Sequence, residues 1–138
     1  MPKKFAAAAL AVLATTAATG DEILMIPADG SEVAIAIRDQ FVSPMTGTAE
    51  TAFAWARHDI DGDGYDELLV RLDGQFCTEG GCATFAFRRA EGGNWPAILT
   101  VMADTVESAP GGLVTVSGGV PTEWAYDTEA GALLPPVN

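Results

Sequence analysis

The chain contains few residues of several kinds that carry chemistry. Its 138 residues include one histidine, His58, and two cysteines, and both of its lysines lie at the N-terminus. One histidine and two cysteines are too few ligands for a usual four-ligand zinc site. Gly-x-Gly-x-x-Gly, Gly-x-x-x-x-Gly-Lys and Gly-x-Ser-x-Gly motifs are also absent, so nucleotide binding and serine hydrolysis have no support.

No enzymatic activity is predicted. A catalytic His58 would need a nucleophile or a paired acid beside it, and the pattern offers neither. His58 is therefore interpreted as the last residue of a strand. Carboxylates are abundant enough for a glycosidase pair, but those that cluster are better explained by a bound ion.

The N-terminus lacks an apolar run of the roughly 20 residues that a membrane-spanning helix needs. Lys3 and Lys4 precede an apolar stretch of about ten residues, and small residues follow at 18–20, as in a signal peptide. We predict a signal peptide at 1–20, one domain at 21–138, no membrane insertion, and a periplasmic or secreted location. A retained anchor is the alternative.

Positive charge is scarce in the predicted domain. All 19 acidic residues follow residue 20, where the only basic residues are five arginines, so the net charge is 5 − 19 = −14. Such a surface repels nucleic acid and favours cations or a basic protein partner. Solubility of an exported protein is an equally good explanation of the acidity.

The cysteines, Cys77 and Cys82, are separated by Thr-Glu-Gly-Gly. This flexible spacing predicts a disulfide in an oxidising compartment and does not match a Cys-x-x-Cys redox motif. The bond would staple a hairpin.

The apolar pattern predicts an α+β fold. Ser31 is placed as the N-cap of a helix with Val33, Ala34, Ile37 and Phe41 on one face and Pro44 at its end. A strand through 33–37 is the competing interpretation. From residue 51, apolar runs about 12 residues apart, separated by glycine-rich turns, predict an antiparallel meander of five to six strands with the helix packed on it.

The sequence Asp59-Ile-Asp-Gly-Asp-Gly-Tyr-Asp-Glu67 carries the clearest functional signal. Alternating carboxylates repel one another unless a hard cation lies between them, and hard cations take oxygen ligands. We predict that calcium, or another hard divalent cation, binds here. The predicted ligands are Asp59, Asp61, Asp63, the carbonyl of Tyr65, and Glu67.

An EF-hand requires a bidentate glutamate at position 12 of such a loop, and Val70 occupies that position. The following Leu68–Leu72 segment has the pattern of a buried strand. The loop is therefore predicted to join two strands. Asp66 is predicted to point outward or to contact the ion only through water.

The acidic loop resembles the calcium-binding loop of FG-GAP/VCBS-type repeats, which also leads into a strand. Together with Phe76-Cys-Thr-Glu-Gly-Gly-Cys82, it is similar to a family of small exported proteobacterial proteins of unknown function. This resemblance covers about a quarter of the chain, and it implies an exported domain with a calcium-type loop and a stapled hairpin.

Two functions remain open. In the first, the ion only stabilises an exported module. In the second, an inhibitor-like or immunity-like module binds a basic exported partner through the hairpin, and an exposed Phe76 beside Glu79 would favour it. Arg88 and Arg89 are either solvated charges or partners of nearby acids, and Trp95 is placed at an exposed hairpin end.

Overall fold

The computed structural model describes residues 20–135. The predicted signal peptide, 1–20, lies outside this range except for Gly20, and so do the last three residues. Within the described range, no helix is long and apolar enough to cross a membrane.

The predicted N-terminal helix is confirmed, and it continues past the proline expected to end it. The Ser31 hydroxyl caps it by accepting a hydrogen bond from the Ala34 amide at 3.2 Å. Three pieces follow without a break: α1 (Glu32–Ile37), a π-helical stretch (Arg38–Val42) and α2 (Ser43–Thr46). The π-helical turn widens the helix before Pro44, where the ring would otherwise clash with the preceding turn. Gly47, with φ of 80°, ends the segment.

Six strands form the first sheet, which is antiparallel. They are β1 (Ile26–Pro27), β2 (Phe53–His58), β3 (Glu67–Leu72), β4 (Cys77–Thr78), β5 (Gly81–Phe87) and β6 (Ala97–Ala103). Their order is β1-β2-β3-β5-β4, and β6 also pairs with β5. Strand β3 is therefore central, with the acidic loop (59–67) before it and the disulfide hairpin (77–82) after it.

Four strands form a second antiparallel sheet. They are β7 (Thr105–Ala109), β8 (Gly112–Ser117), β9 (Val120–Asp127) and β10 (Ala132–Leu134), in the order β10-β9-β8-β7. The chain passes from β6 of the first sheet to β7 of the second at Asp104.

The first sheet lies between the helical segment and the second sheet. Alternate residues of its strands supply two separate cores, as the two-residue period of a strand requires. One core packs side chains such as Phe53 and Val70 against Ile37 and Phe41 of the helical segment. In the other core, Ala56 and Ala86 are joined by larger residues such as Leu69 and by side chains of the second sheet.

The segment at 20–27 connects the edges of the two sheets. The Ile23 amide donates to the Val106 carbonyl of β7 at 2.8 Å, and β1 then pairs with β2. The α+β class is confirmed. The predicted single meander of five to six strands is replaced by ten strands in two sheets in the described part of the chain, because short pairings and an edge-to-edge connection leave little trace in local apolar periodicity.

Candidate metal centre

The acidic loop joins β2 to β3, as the sequence predicts. The final residue of β2, His58, pairs with the first residue of β3, Glu67, so the loop is closed by the strand ladder. Four carboxylates converge here, and one oxygen from each lies within 4.8 Å of the others. These belong to Asp59, Asp61, Asp63 and Glu67, which could together hold a metal ion.

Backbone amides within the loop aim its aspartates inward. The two carboxylate oxygens of Asp59 accept hydrogen bonds from the amides of Gly62 at 3.0 Å and Gly64 at 2.8 Å. Asp61 and Asp63 each accept from the amide two residues further on. Gly62 and Gly64 have φ of 79° and 92°, a conformation that glycine adopts without strain. The alternation of aspartate and glycine thus sets the shape of the loop.

Glu67 is the buried member of the group, with 2% of its surface exposed. Its Oε1 accepts a hydrogen bond from the Ile60 amide at 2.6 Å and a longer one from the Asp61 amide at 3.4 Å. Burial raises the pKa of Glu67 to about 7, and the charges of Asp61 and Asp63 act in the same direction. A cation beside this carboxylate would favour its ionised form.

Arg88, which the sequence left as either a solvated charge or a partner of nearby acids, pairs with two aspartates of the loop. Its Nε donates to Asp61 Oδ2 at 2.7 Å and its Nη2 to Asp63 Oδ2 at 3.2 Å. Burial alone would raise the pKa of Asp61, but the hydrogen bond from Arg88 helps to hold it below the ordinary value. Pairing of Leu68 with Phe87 places Arg88 level with Glu67. The sequence did not indicate which acids Arg88 would pair with, because that depends on the register between β3 and β5.

The donor set fits a hard cation. All four side chains supply carboxylate oxygens, the ligands that calcium and magnesium prefer. Asp66, predicted to point outward or to contact the ion only through water, is exposed and outside the group. Val70 is fully buried in β3, so position 12 of the loop contributes no ligand. Tyr65 is 78% exposed, and its carbonyl as a ligand stays a prediction.

No protein-family model, curated protein or solved structure matches the chain.

The disulfide between Cys77 and Cys82 is confirmed. These residues face each other in the β4–β5 hairpin, and Asp73 lies close to both sulfurs. Oxidised sulfurs do not offer the thiolates that metals bind, and Asp73 is paired with Arg71 at 2.8 Å. This second cluster is therefore a structural staple.

A groove of about 480 Å³ lies beside the acidic loop, which the sequence did not predict. Phe41, Leu68 and Trp95 supply apolar surface, and Arg57 and Asp66 are among its polar lining residues. Trp95, which we placed at an exposed hairpin end, instead packs edge-on against Phe41, with ring centroids 6.0 Å apart. It is held by the helical segment, which no local pattern around Trp95 reveals.

Proposed function

We propose that this protein is an exported calcium-binding module in which the ion stabilises the connection between β2 and β3. One observation carries the proposal: four carboxylates converge within 4.8 Å at that connection. Glu67, the first residue of β3, is buried among them and so couples the ion to the sheet.

Calcium suits the donor set because it accepts several carboxylate and carbonyl oxygens in a flexible arrangement. Magnesium demands a stricter octahedron and retains more of its water, which a loop crossed by backbone hydrogen bonds is less able to accommodate. With a dissociation constant near 0.1 mM, as in extracellular modules, 1 mM calcium would stabilise the fold by about 1.4 kcal/mol.

Calorimetric titration and thermal melting test this function. Calcium at 1 mM should raise the melting temperature by about 5 °C over calcium-free buffer, and magnesium should raise it less. Asp59→Asn should remove most of this gain, whereas Asp66→Asn, at an exposed acid outside the group, should retain it. Equal midpoints with and without calcium, together with no heat of binding, would refute calcium binding.

Export is supported by the N-terminal pattern at 1–20 and is consistent with the disulfide. The resemblance to small exported proteins with a calcium-type loop points the same way and stays a prediction. Cell fractionation with mass measurement of the N-terminus would test processing near residue 20.

The alternative, recognition of a basic partner through the disulfide hairpin, has weaker support. Phe76 is partly buried and packs against the core beneath the helical segment. The tip of the hairpin is also engaged, since the Ser117 hydroxyl donates to the Gly80 carbonyl at 2.6 Å. These contacts favour a hairpin that joins the two sheets over one that is free to bind a partner.

A further inference from the structure

A metal ion at the acidic loop would compete with Arg88 for the same carboxylate oxygens. Its guanidinium contacts Oδ2 of both Asp61 and Asp63, which lie 27 and 25 residues earlier in the chain. The Oδ1 atoms of the same aspartates accept the amides of Asp63 and Tyr65. Every oxygen of these two side chains thus already has a partner.

A divalent ion and a guanidinium on one carboxylate repel each other. The aspartates can turn toward an ion most readily by releasing Arg88. Their Oδ1 atoms accept the hydrogen bonds that hold the backbone of the loop in place. The guanidinium would keep a second partner on release. Its central carbon lies 5.2 Å from the ring centroid of Tyr126, on β9 of the second sheet.

We propose that Arg88 is an internal counter-cation of the acidic loop, which calcium displaces when it binds. The inference rests on the proposed calcium function and adds its regulation: Arg88 stabilises the ion-free loop and thereby weakens calcium binding. Because Arg88 also contacts Tyr126 of β9, its displacement from the aspartates would affect a contact between the two sheets.

Calorimetric titration with calcium chloride at low ionic strength compares wild type with Arg88→Gln, Arg88→Lys and Arg89→Gln. Arg89 is the matched control, because it is adjacent, exposed and carries the same charge. Removing a charge about 6 Å from a divalent ion changes affinity about tenfold at the dielectric constant of water. R88Q should therefore bind calcium about tenfold more tightly, while R88K and R89Q stay within about threefold of wild type.

The outcomes separate this inference from the proposed function. Binding by wild type with equal affinities for R88Q and R89Q would overturn the inference alone, and so would weaker binding by R88Q. Absence of binding heat in both wild type and R88Q would refute the calcium function and the inference with it.

A second measurement uses only the wild-type protein, so it does not depend on whether a variant folds. The chain has five arginines, so their Nε–H signals can be resolved by nuclear magnetic resonance. Arg88 should give a shifted, slowly exchanging signal in calcium-free buffer, and saturating calcium should move it toward the signals of exposed arginines. A wild-type Arg88 signal that calcium leaves unchanged would overturn the displacement.

Discussion

The two ends of β3 are fixed by different chemistry. The acidic loop before Glu67 is held by hydrogen bonds to carboxylates and by Arg88. The hairpin after Leu72 is held by a disulfide and by close backbone packing. Charge-based contacts depend on pH and on cations, whereas a covalent bond and steric contact do not. The contacts at one end of the central strand therefore depend on pH and cations, and those at the other end do not.

The glycines of the two regions show the same contrast. A Cβ on Gly62 or Gly64 would meet no atom within 4 Å, so these residues serve backbone conformation alone. A Cβ on Gly81 would lie 2.2 Å from the carbonyl carbon of Ala103. The loop is exposed to solvent, and the hairpin is pressed against the corner where the chain enters the second sheet.

The largest effect is expected from Gly81→Ala. Gly81 combines a φ of 107° with the backbone collision at Ala103, so the fold must shift to accept a methyl group. We expect a loss of about 4 kcal/mol in the free energy of unfolding, measured by urea titration.

Gly80→Ala is the matched control for Gly81→Ala. Its Cβ would lie 3.3 Å from the Ser117 hydroxyl, a side-chain atom that can move, so the loss should stay below about 1 kcal/mol. Equal losses in the two variants would contradict the steric account of the hairpin.

Glu67→Ala should cost about 3 kcal/mol in calcium-free buffer. The change leaves the buried amide of Ile60 without its acceptor and also opens a cavity. Glu67→Gln keeps an oxygen for that amide but not the charge. It should therefore stay within about 1 kcal/mol of wild type while losing most calcium affinity. If Gln and Ala were equally destabilising in urea titrations, the hydrogen bond would not be what Glu67 contributes.

The acidic loop could be predicted to a large extent from sequence, because the hydrogen bonds within it span two to seven residues. Aspartates two apart, alternating with glycine, determine which amides meet which carboxylates. The position of Glu67 beside the aspartates could also be predicted, because its strand pairing with His58 closes the loop.

The identity of the acids that Arg88 pairs with and the packing of Trp95 could not be predicted in the same way. Arg88 reaches the loop only through the register of β3 with β5, and Trp95 lies against Phe41, 54 residues earlier in the chain. The two-sheet arrangement could not be predicted for the same reason, since β7 and β2 are linked through residues 20–27. Local patterns encode local geometry, and these contacts depend on long-range packing.

Removing the disulfide should destabilise the fold less than Gly81→Ala or Glu67→Ala. A bond that closes a loop of about six residues contributes about 2 kcal/mol by the loop-entropy estimate. Replacing Cys77 and Cys82 together with alanine should lower the free energy of unfolding by that amount. The loss should be the same with and without calcium, because the hairpin lies at the other end of β3. A loss that calcium restores would show that the two ends are coupled.

The smallest effect is a pH dependence confined to the acidic loop. Glu67 has a folded-state pKa of about 7 against an ordinary 4.5, so the folded protein binds its proton more tightly than the unfolded chain does. Its contribution to stability is therefore complete below pH 4.5 and is lost as the pH rises to about 7. Between pH 5 and 7.5 in calcium-free buffer, wild type should lose about 1 kcal/mol relative to Glu67→Gln, after allowance for solvent screening. Saturating calcium should remove this loss, because the ion binds the ionised carboxylate. Urea titrations of both proteins at several pH values measure the difference. If their free energies of unfolding change equally with pH across this range, Glu67 is as acidic in the folded protein as in the unfolded chain.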